Sequence, residues 1–146
     1  MLRHALGVKC ETVHGVKLLG KEPDQWYESI PLCLRYRSIR DTSFTDANYT
    51  IFHRIMLELT YHMGRCMLYR SFLLGGFQQD MCHIALELCR GSAFKMLDIH
   101  FEVDRAIHPG GRLHDDRFAV SSLTLHGFLV AAMIICLELN DHDIMR

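Results

Sequence analysis

The run TDANYTIFHRIMLELTYHMGRCMLYRSFL, residues 45–73, decides the fold. Within it Ile51, Ile55, Leu59, Met63, Cys66 and Met67 recur every three or four positions, the spacing that stacks side chains on one face of an α-helix. Thr45-Asp46 offers side-chain oxygens for the free N–H groups of a first turn and is read as the N-terminal cap. Phe52, Met56 and Leu57 widen the apolar surface beyond one stripe, so this helix is expected to pack on more than one side, inside a layered helical fold. Gly75-Gly76 follows, residues suited to the positive φ that ends many helices.

Two further patterns extend the reading toward the C-terminus. Met81, Ala85, Leu88, Ser92, Met96, Ile99, Val103 and Ile107 share one face of a second long helix, while Asp80, Glu87, Arg90, Asp98 and Arg105 lie mainly elsewhere. Gly91 interrupts it at a cost of about 1 kcal/mol relative to alanine and is a candidate point of close helix approach. His108-Pro109-Gly110-Gly111 makes a loop. From about Asp116 to Leu139 runs a third helix whose stretch Leu123–Leu137 is almost wholly apolar. Crossing roughly 30 Å of hydrocarbon takes about twenty such residues. Asp115, Asp116 and Arg117 before the stretch and Glu138 after it leave too few, so a buried central helix is expected instead of a membrane span.

The first forty-four residues are less regular, because Gly7, Gly15, Gly20, Pro23 and Pro31 interrupt any long pattern. One short helix fits there, Glu22–Ile30, with proline and acidic residues in its first turn and Pro31 as its stop. The organisation expected is therefore an irregular segment, 1–44, followed by a helical unit, 45–146. Its class is all-α, a multi-helix array of long packed antiparallel helices.

Composition narrows the function. The chain has 146 residues, 49% hydrophobic and 23% charged, with net charge -1, so it lacks the basic field that phosphate backbones select. The start, Met1–Gly7, has no apolar run of signal-peptide length, which points to an intracellular protein with reduced thiols. Cys10, Cys33, Cys66, Cys82, Cys89 and Cys136 contain no C-x-x-C, the tight pairing through which structural zinc sites present two sulfurs to one ion. They read as buried thiols.

Chemical constellations are sparse. No glycine loop is followed by Lys and a hydroxyl residue, and neither H-E-x-x-H nor a repeated E-x-x-H occurs, so nucleotide hydrolysis and di-iron chemistry have no support. Glu58 and His62 sit four apart and suit a helical hydrogen bond. Cys82-His83 are adjacent and point about 100 degrees apart, which disfavours a thiolate–imidazole pair. His108 and His114 flank the Pro-Gly-Gly loop without a carboxylate or thiolate to complete a metal site. Arg35, Arg37 and Arg40 with Tyr36 form the one local basic cluster, better read as a solvated loop than a nucleic-acid contact. Met56, Met63, Met67, Met81 and Met96 are spaced as core residues.

Several blocks carry a resemblance in order along roughly three quarters of the chain. They are Leu32-Cys33-Leu34-Arg35 after a Trp-containing helix, Ile55–His62 with Arg65–Arg70, Cys82 through Cys89, Pro109-Gly110-Gly111-Arg112-Leu113, Val120–Thr124 with His126, and Phe128 through Leu139. From Pro31 onward the chain resembles the middle homology, or regulatory, region of fungal transcription factors with an N-terminal zinc binuclear cluster, specifically its C-terminal part. The resemblance implies an all-helical, non-catalytic regulatory and interaction module, in nuclear proteins that control RNA polymerase II transcription. It implies as partners the rest of its own helical domain or coregulator proteins, with a small-molecule effector and self-association as further candidates, and neither direct nucleic-acid contact nor a membrane. No cofactor is expected in this chain, since zinc belongs to an N-terminal cluster of six closely spaced cysteines that is absent here.

Tyr69 and Ser71 depart from the His and Pro common beside this arginine in the family, Gly127 replaces a common acidic residue, and the connection from Leu73 to Met81 is short. With fewer helices before this region than the family domain has, a truncated gene product is expected. Helices that lack their partners would expose apolar faces and associate or be marginally stable. No catalytic, metal or DNA-binding residue is assigned. Arg65, Arg70, Arg112, Asp116 and His126 are candidate structural polar residues, each expected to have a partner because an unpaired buried charge is costly. The alternatives are a free-standing helical ligand-binding or scaffolding protein and, third, a metal-dependent enzyme using scattered His and Cys.

Overall fold

A computed structural model describes residues 15, 18, 20–74, 79–119 and 122–144. Its long helices are α2 (Asn48–Leu74), α3 (Gln79–Ile107) and α4 (Ser122–Ile144), preceded by the short α1 (Lys21–Glu28). Single 3-10 turns lie at Leu32–Leu34, Ile39–Asp41 and Arg117–Ala119, and no strand occurs among the described residues. The all-α antiparallel array expected from the spacing is the architecture observed. The register is legible from single contacts: Cys82 Sγ meets the Phe72 carbonyl and Cys66 Sγ that of Cys89, so α2 and α3 run antiparallel. Arg90 pairs with Glu138 and His100 stacks edge-on with Phe128, so α3 and α4 do too.

Several helix ends have a local cause. α1 opens with Glu22 and Asp24 facing its positive dipole end and Pro23, already lacking an N–H, buried in its first turn. At its C-terminus Ser29 donates its N–H to Gln25 and Trp26 and its hydroxyl to the Trp26 carbonyl, before Pro31. The cap expected at Thr45-Asp46 is not formed. The first helical bonds of α2 run from Thr50 and Ile51 to the Ala47 carbonyl, while the Asp46 carboxylate turns away to Arg54, a charged partner that outbids the neutral first-turn amides. Gly75-Gly76 lies outside the described residues.

Beyond α3 the chain reverses through Gly110 at φ 83°, and the Leu113 N–H returns to the Ala106 carbonyl. A β-carbon on Gly111 would stand 2.2 Å from that carbonyl oxygen, so the tight closure requires glycine there.

The core is the seam of α2 and α3, onto which α4 packs from one side. Ile51, Ile55, Leu59, Cys66, Tyr69 and Phe72 of α2 meet Ala85, Cys89, Ala93, Met96, Ile99 and Val103 of α3, all almost completely buried. As expected, α2 packs on more than one side, touching α1, α3 and α4. The Met81 side chain lies outside those described; Met96 is fully buried, Met56 and Met63 are partly so, and Met67 is 37% exposed, which removes it from the core.

Two expectations are overturned by the path of α4. Gly91 faces open space, because it points away from both neighbouring helices. The close approach is instead at Gly127, where a β-carbon would meet His100 Nε2 at 3.6 Å, Met96 Sδ at 3.8 Å and Leu59 Cδ2 at 3.9 Å. Nor is α4 buried all round. Thr124, Gly127, Ala131 and Ile134 form a narrow buried stripe, while Leu125 (63%), Leu129 (56%) and Leu139 (61%) face outward with Phe128 and Cys136 partly or wholly exposed. No described helix is long and apolar enough to cross a membrane.

Candidate functional site

Three polar clusters tie the irregular N-terminal region to the long helices. In the first, Glu58 of α2 receives the Tyr27 hydroxyl at 2.7 Å and lies 3.3 Å from His62 Nε2, the helical pair expected from their spacing. One turn farther, Arg65 Nη1 reaches Asp24 at 2.6 Å and the Tyr61 hydroxyl at 2.8 Å, and Tyr61 itself donates to Asp24. The Tyr27 and Tyr61 rings stack with centroids 4.3 Å apart. α1 is therefore held on α2 by charge-assisted bonds over a shared aromatic layer. His62 Nδ1 and Arg65 Nε are buried there without a partner.

The second cluster centres on Glu102 of α3. Its carboxylate accepts from the Tyr36 and Ser38 hydroxyls and the Ile39 N–H, between 2.9 and 3.0 Å, and Lys95 Nζ lies over the Tyr36 ring at 4.8 Å. Burial alone would raise Glu102 and Glu58, but these hydrogen bonds, together with those of Tyr27 and His62, outweigh it and hold both carboxyls below their usual range. Burial and the adjacent carboxylates push the Tyr27 and Tyr36 phenols up, keeping them as donors.

The third cluster fastens the loop before α2. Arg112 donates to the Thr42 hydroxyl and to the carbonyls of Thr42, Ser43 and Asp46, while its neighbour Leu113 is fully buried in the core. The block Pro109–Leu113 thus works as a clasp: glycine turn, arginine fork, apolar anchor. Arg54, buried within the apolar face of α2, bonds the Cys33 carbonyl and Asp46, each at 2.8 Å. Asp116 accepts from Asn48 in the first turn of α2.

Of the five candidate polar residues, Arg65, Arg112 and Asp116 are thus placed in these clusters. Arg70 and His126 are not: both lie on outward helix faces, where water supplies the solvation and no protein partner is needed. The spacing missed Arg54 and Glu102. For Arg54 the signal was present, a charge set between Ile51 and Ile55 on a buried face; for Glu102 none was, since its partners arrive from 63 to 66 residues away.

The remaining constellations are taken up by the backbone. His108 Nδ1 and His114 Nδ1 contact the Asp104 and Ile107 carbonyls, and Cys82 bonds the Phe72 carbonyl while His83 is exposed. Among the described residues no group of three His, Cys, Asp or Glu is placed to hold a metal ion. Arg35 folds back on the Glu28 and Ile30 carbonyls at the end of α1. An open cavity of about 270 Å³ lies between Ile39, Arg40, Glu102, Arg105 and Arg112, smaller than the sites that enclose a drug-sized ligand.

On the acid side, three groups contribute to the pH dependence of stability. Burial pushes His100 below its usual 6.5, so as pH falls through that value the unfolded chain gains a proton that the folded chain refuses. Glu58 and Glu102, held below 4.5, likewise stabilise the fold above that pH and lose this contribution as acid protonates them. The melting temperature is expected to be level from neutrality up to the range where free phenols ionise, to decline below pH 6.5 and to fall more steeply below 4.5, with His100→Leu removing the first decline. A melting temperature that rose on acidification would contradict this arrangement.

No family model matches the chain, and no solved structure matches it. Curated proteins do. The chain is 31% identical over 112 residues to the Zn(2)-C6 fungal-type transcription factor mpsB of Macrophomina phaseolina, covering 77% of this chain and 15% of that protein. It is 30% identical over 114 residues to the Zn(2)-C6 fungal-type transcription factor pigI of Monascus ruber, covering 78% and 14%. It is 31% identical over 127 residues to the equisetin cluster transcription factor eqxF of Fusarium heterosporum, covering 86% and 18%. The match spans less than a fifth of these relatives' length.

Proposed function

The chain belongs with the Zn(2)-C6 fungal-type transcription factors over the segment it shares with them, and on that premise we propose that it serves as a non-catalytic regulatory and interaction element of RNA polymerase II transcription in the fungal nucleus. The observation that carries the reading is the outer face of α4. Leu125, Leu129 and Leu139, all more than half exposed, lie with Phe128 along a rigid helix anchored by Gly127 and Ala131. Apolar surface of that extent, presented on a fixed scaffold, favours a protein partner. The partner is helical protein, from the rest of a regulatory domain or from a coregulator, seated by burial of leucine and phenylalanine. A second copy of the chain would satisfy the same face when no other partner is present. The cavity beside Glu102 is the place for a small-molecule effector, and the chain itself calls for no cofactor.

Tethering tests this. The chain is fused to an unrelated DNA-binding domain upstream of a reporter in a fungal host, beside the double variant L125E/L129E. The proposal expects the wild-type fusion to change reporter output and the variant, at equal protein level and helical content, to lose that change. Equal output from the two fusions, whether altered or at background, would overturn it.

A further inference from the structure

At the middle of the α2–α3 seam two cysteines face each other. Cys66 and Cys89 are both fully buried; Cys66 Sγ lies 3.7 Å from the Cys89 carbonyl oxygen and Cys89 Sγ 3.9 Å from that of Cys66. Each sulfur thus reaches the backbone of the other residue, which sets the two thiols beside each other across the seam. Such reciprocity needs close backbones, which the fully buried Ala85 and Ala93 on the same face of α3 permit. Of the other described cysteines, Cys33 and Cys136 are exposed, and Cys82 bonds the Phe72 carbonyl.

We propose that Cys66 and Cys89 are a modification site, a dithiol that closes to a reversible disulfide across the hairpin when the chain meets a small neutral peroxide. The oxidant needed is hydrogen peroxide or an oxidant of that class, small enough to enter during local opening of a packed seam. The Cys66 sulfur attacks one peroxide oxygen, the O–O bond breaks, and the departing hydroxide leaves as water with the thiol proton, giving a sulfenic acid. The Cys89 sulfur then attacks the Cys66 sulfur; the S–O bond breaks and the hydroxide takes the Cys89 proton. Two thiols lose two electrons in all, and one peroxide becomes two waters. Arg65, adjacent to Cys66 in the chain, supplies a positive charge that favours the thiolate form there against the opposing effect of burial.

The consequence is mechanical. A bond between α2 and α3 at this level restrains the unfolded chain and holds the seam in register beneath α4, so the oxidised chain melts at a higher temperature than the reduced one. A thiol reductant reverses it.

The test is peptide mapping of the whole chain after hydrogen peroxide treatment, with free thiols alkylated before digestion. Cys33 and Cys136 report that oxidant reached the protein. The proposal expects a linked peptide pair joining Cys66 to Cys89, lighter by two hydrogens, removed by dithiothreitol and accompanied by a raised melting temperature. Cys66→Ala and Cys89→Ala should each abolish the pair and the shift, and C33S/C136S should leave both. Recovery of Cys66 and Cys89 as free thiols while Cys33 and Cys136 are oxidised, or as sulfinic and sulfonic acids, or joined to other cysteines, would overturn it. The measurement on wild-type protein decides the matter even where a variant fails to fold.

Discussion

Leu59→Ala is expected to destabilise the chain by about 3 kcal/mol, near the middle of the range for leucine truncation in cores. Leu59 is fully buried where the three long helices meet: its Cδ2 lies beside Met96 Sδ and His100 Nε2 around the bare backbone of Gly127. Truncation would remove contacts from all three helices at once, and the glycine opposite has no side chain to swing into the void. The position also offers its own compensation. A β-carbon at Gly127 stands 3.6 to 3.9 Å from its neighbours, ordinary contact distance, and alanine gains about 1 kcal/mol of helix propensity over glycine. Gly127→Ala alone should therefore be neutral or stabilising, and in the Leu59→Ala background it should recover part of the loss. Thermal and denaturant unfolding of the four proteins would reveal the coupling; strict additivity would show that the helices do not meet at this point.

Ala131→Glu and Leu129→Glu, two residues apart on α4, are expected to behave as opposites. Ala131 is fully buried in the stripe against α2 and α3, so a carboxylate there is stripped of water with no partner provided, a change of at least several kcal/mol that should abolish cooperative melting. Leu129 is 56% exposed, and glutamate there keeps its solvation; the melting temperature should stay within the small range of surface substitutions. Circular dichroism melts of the two variants check this. Equal destabilisation would mean that α4 is covered on both sides, the arrangement first expected from its composition.

That contrast marks where the sequence stops being legible. In α2 and α3, polar residues alternate with apolar ones and define a face, so Ile55, Leu59, Met96 and Ile99 were placed in the core by spacing alone. In α4 the run from Leu123 to Leu137 is apolar on every side, and a helix without a polar face carries no signal of which side packs. The small residues at positions 127 and 131, the first of them where Leu59 and Met96 approach, mark its packed side. The polar clusters divide in the same way. Glu58 with His62 was legible from four-residue spacing, whereas the Arg112 fork grips Thr42, Ser43 and Asp46 across 66 to 70 residues of chain, a pairing no local pattern contains. The capping oxygen read at Asp46 was taken by Arg54, a tertiary partner stronger than the first-turn amides.

Protein contact through the outer face of α4 is the proposal on which the function rests. Sedimentation velocity of the purified chain and of L125E/L129E over a wide dilution series tests it most directly. The wild-type chain is expected to associate as concentration rises, while the variant remains a monomer with an unchanged melting temperature. A wild-type chain that stays a sharp, cooperatively melting monomer throughout the series would contradict it.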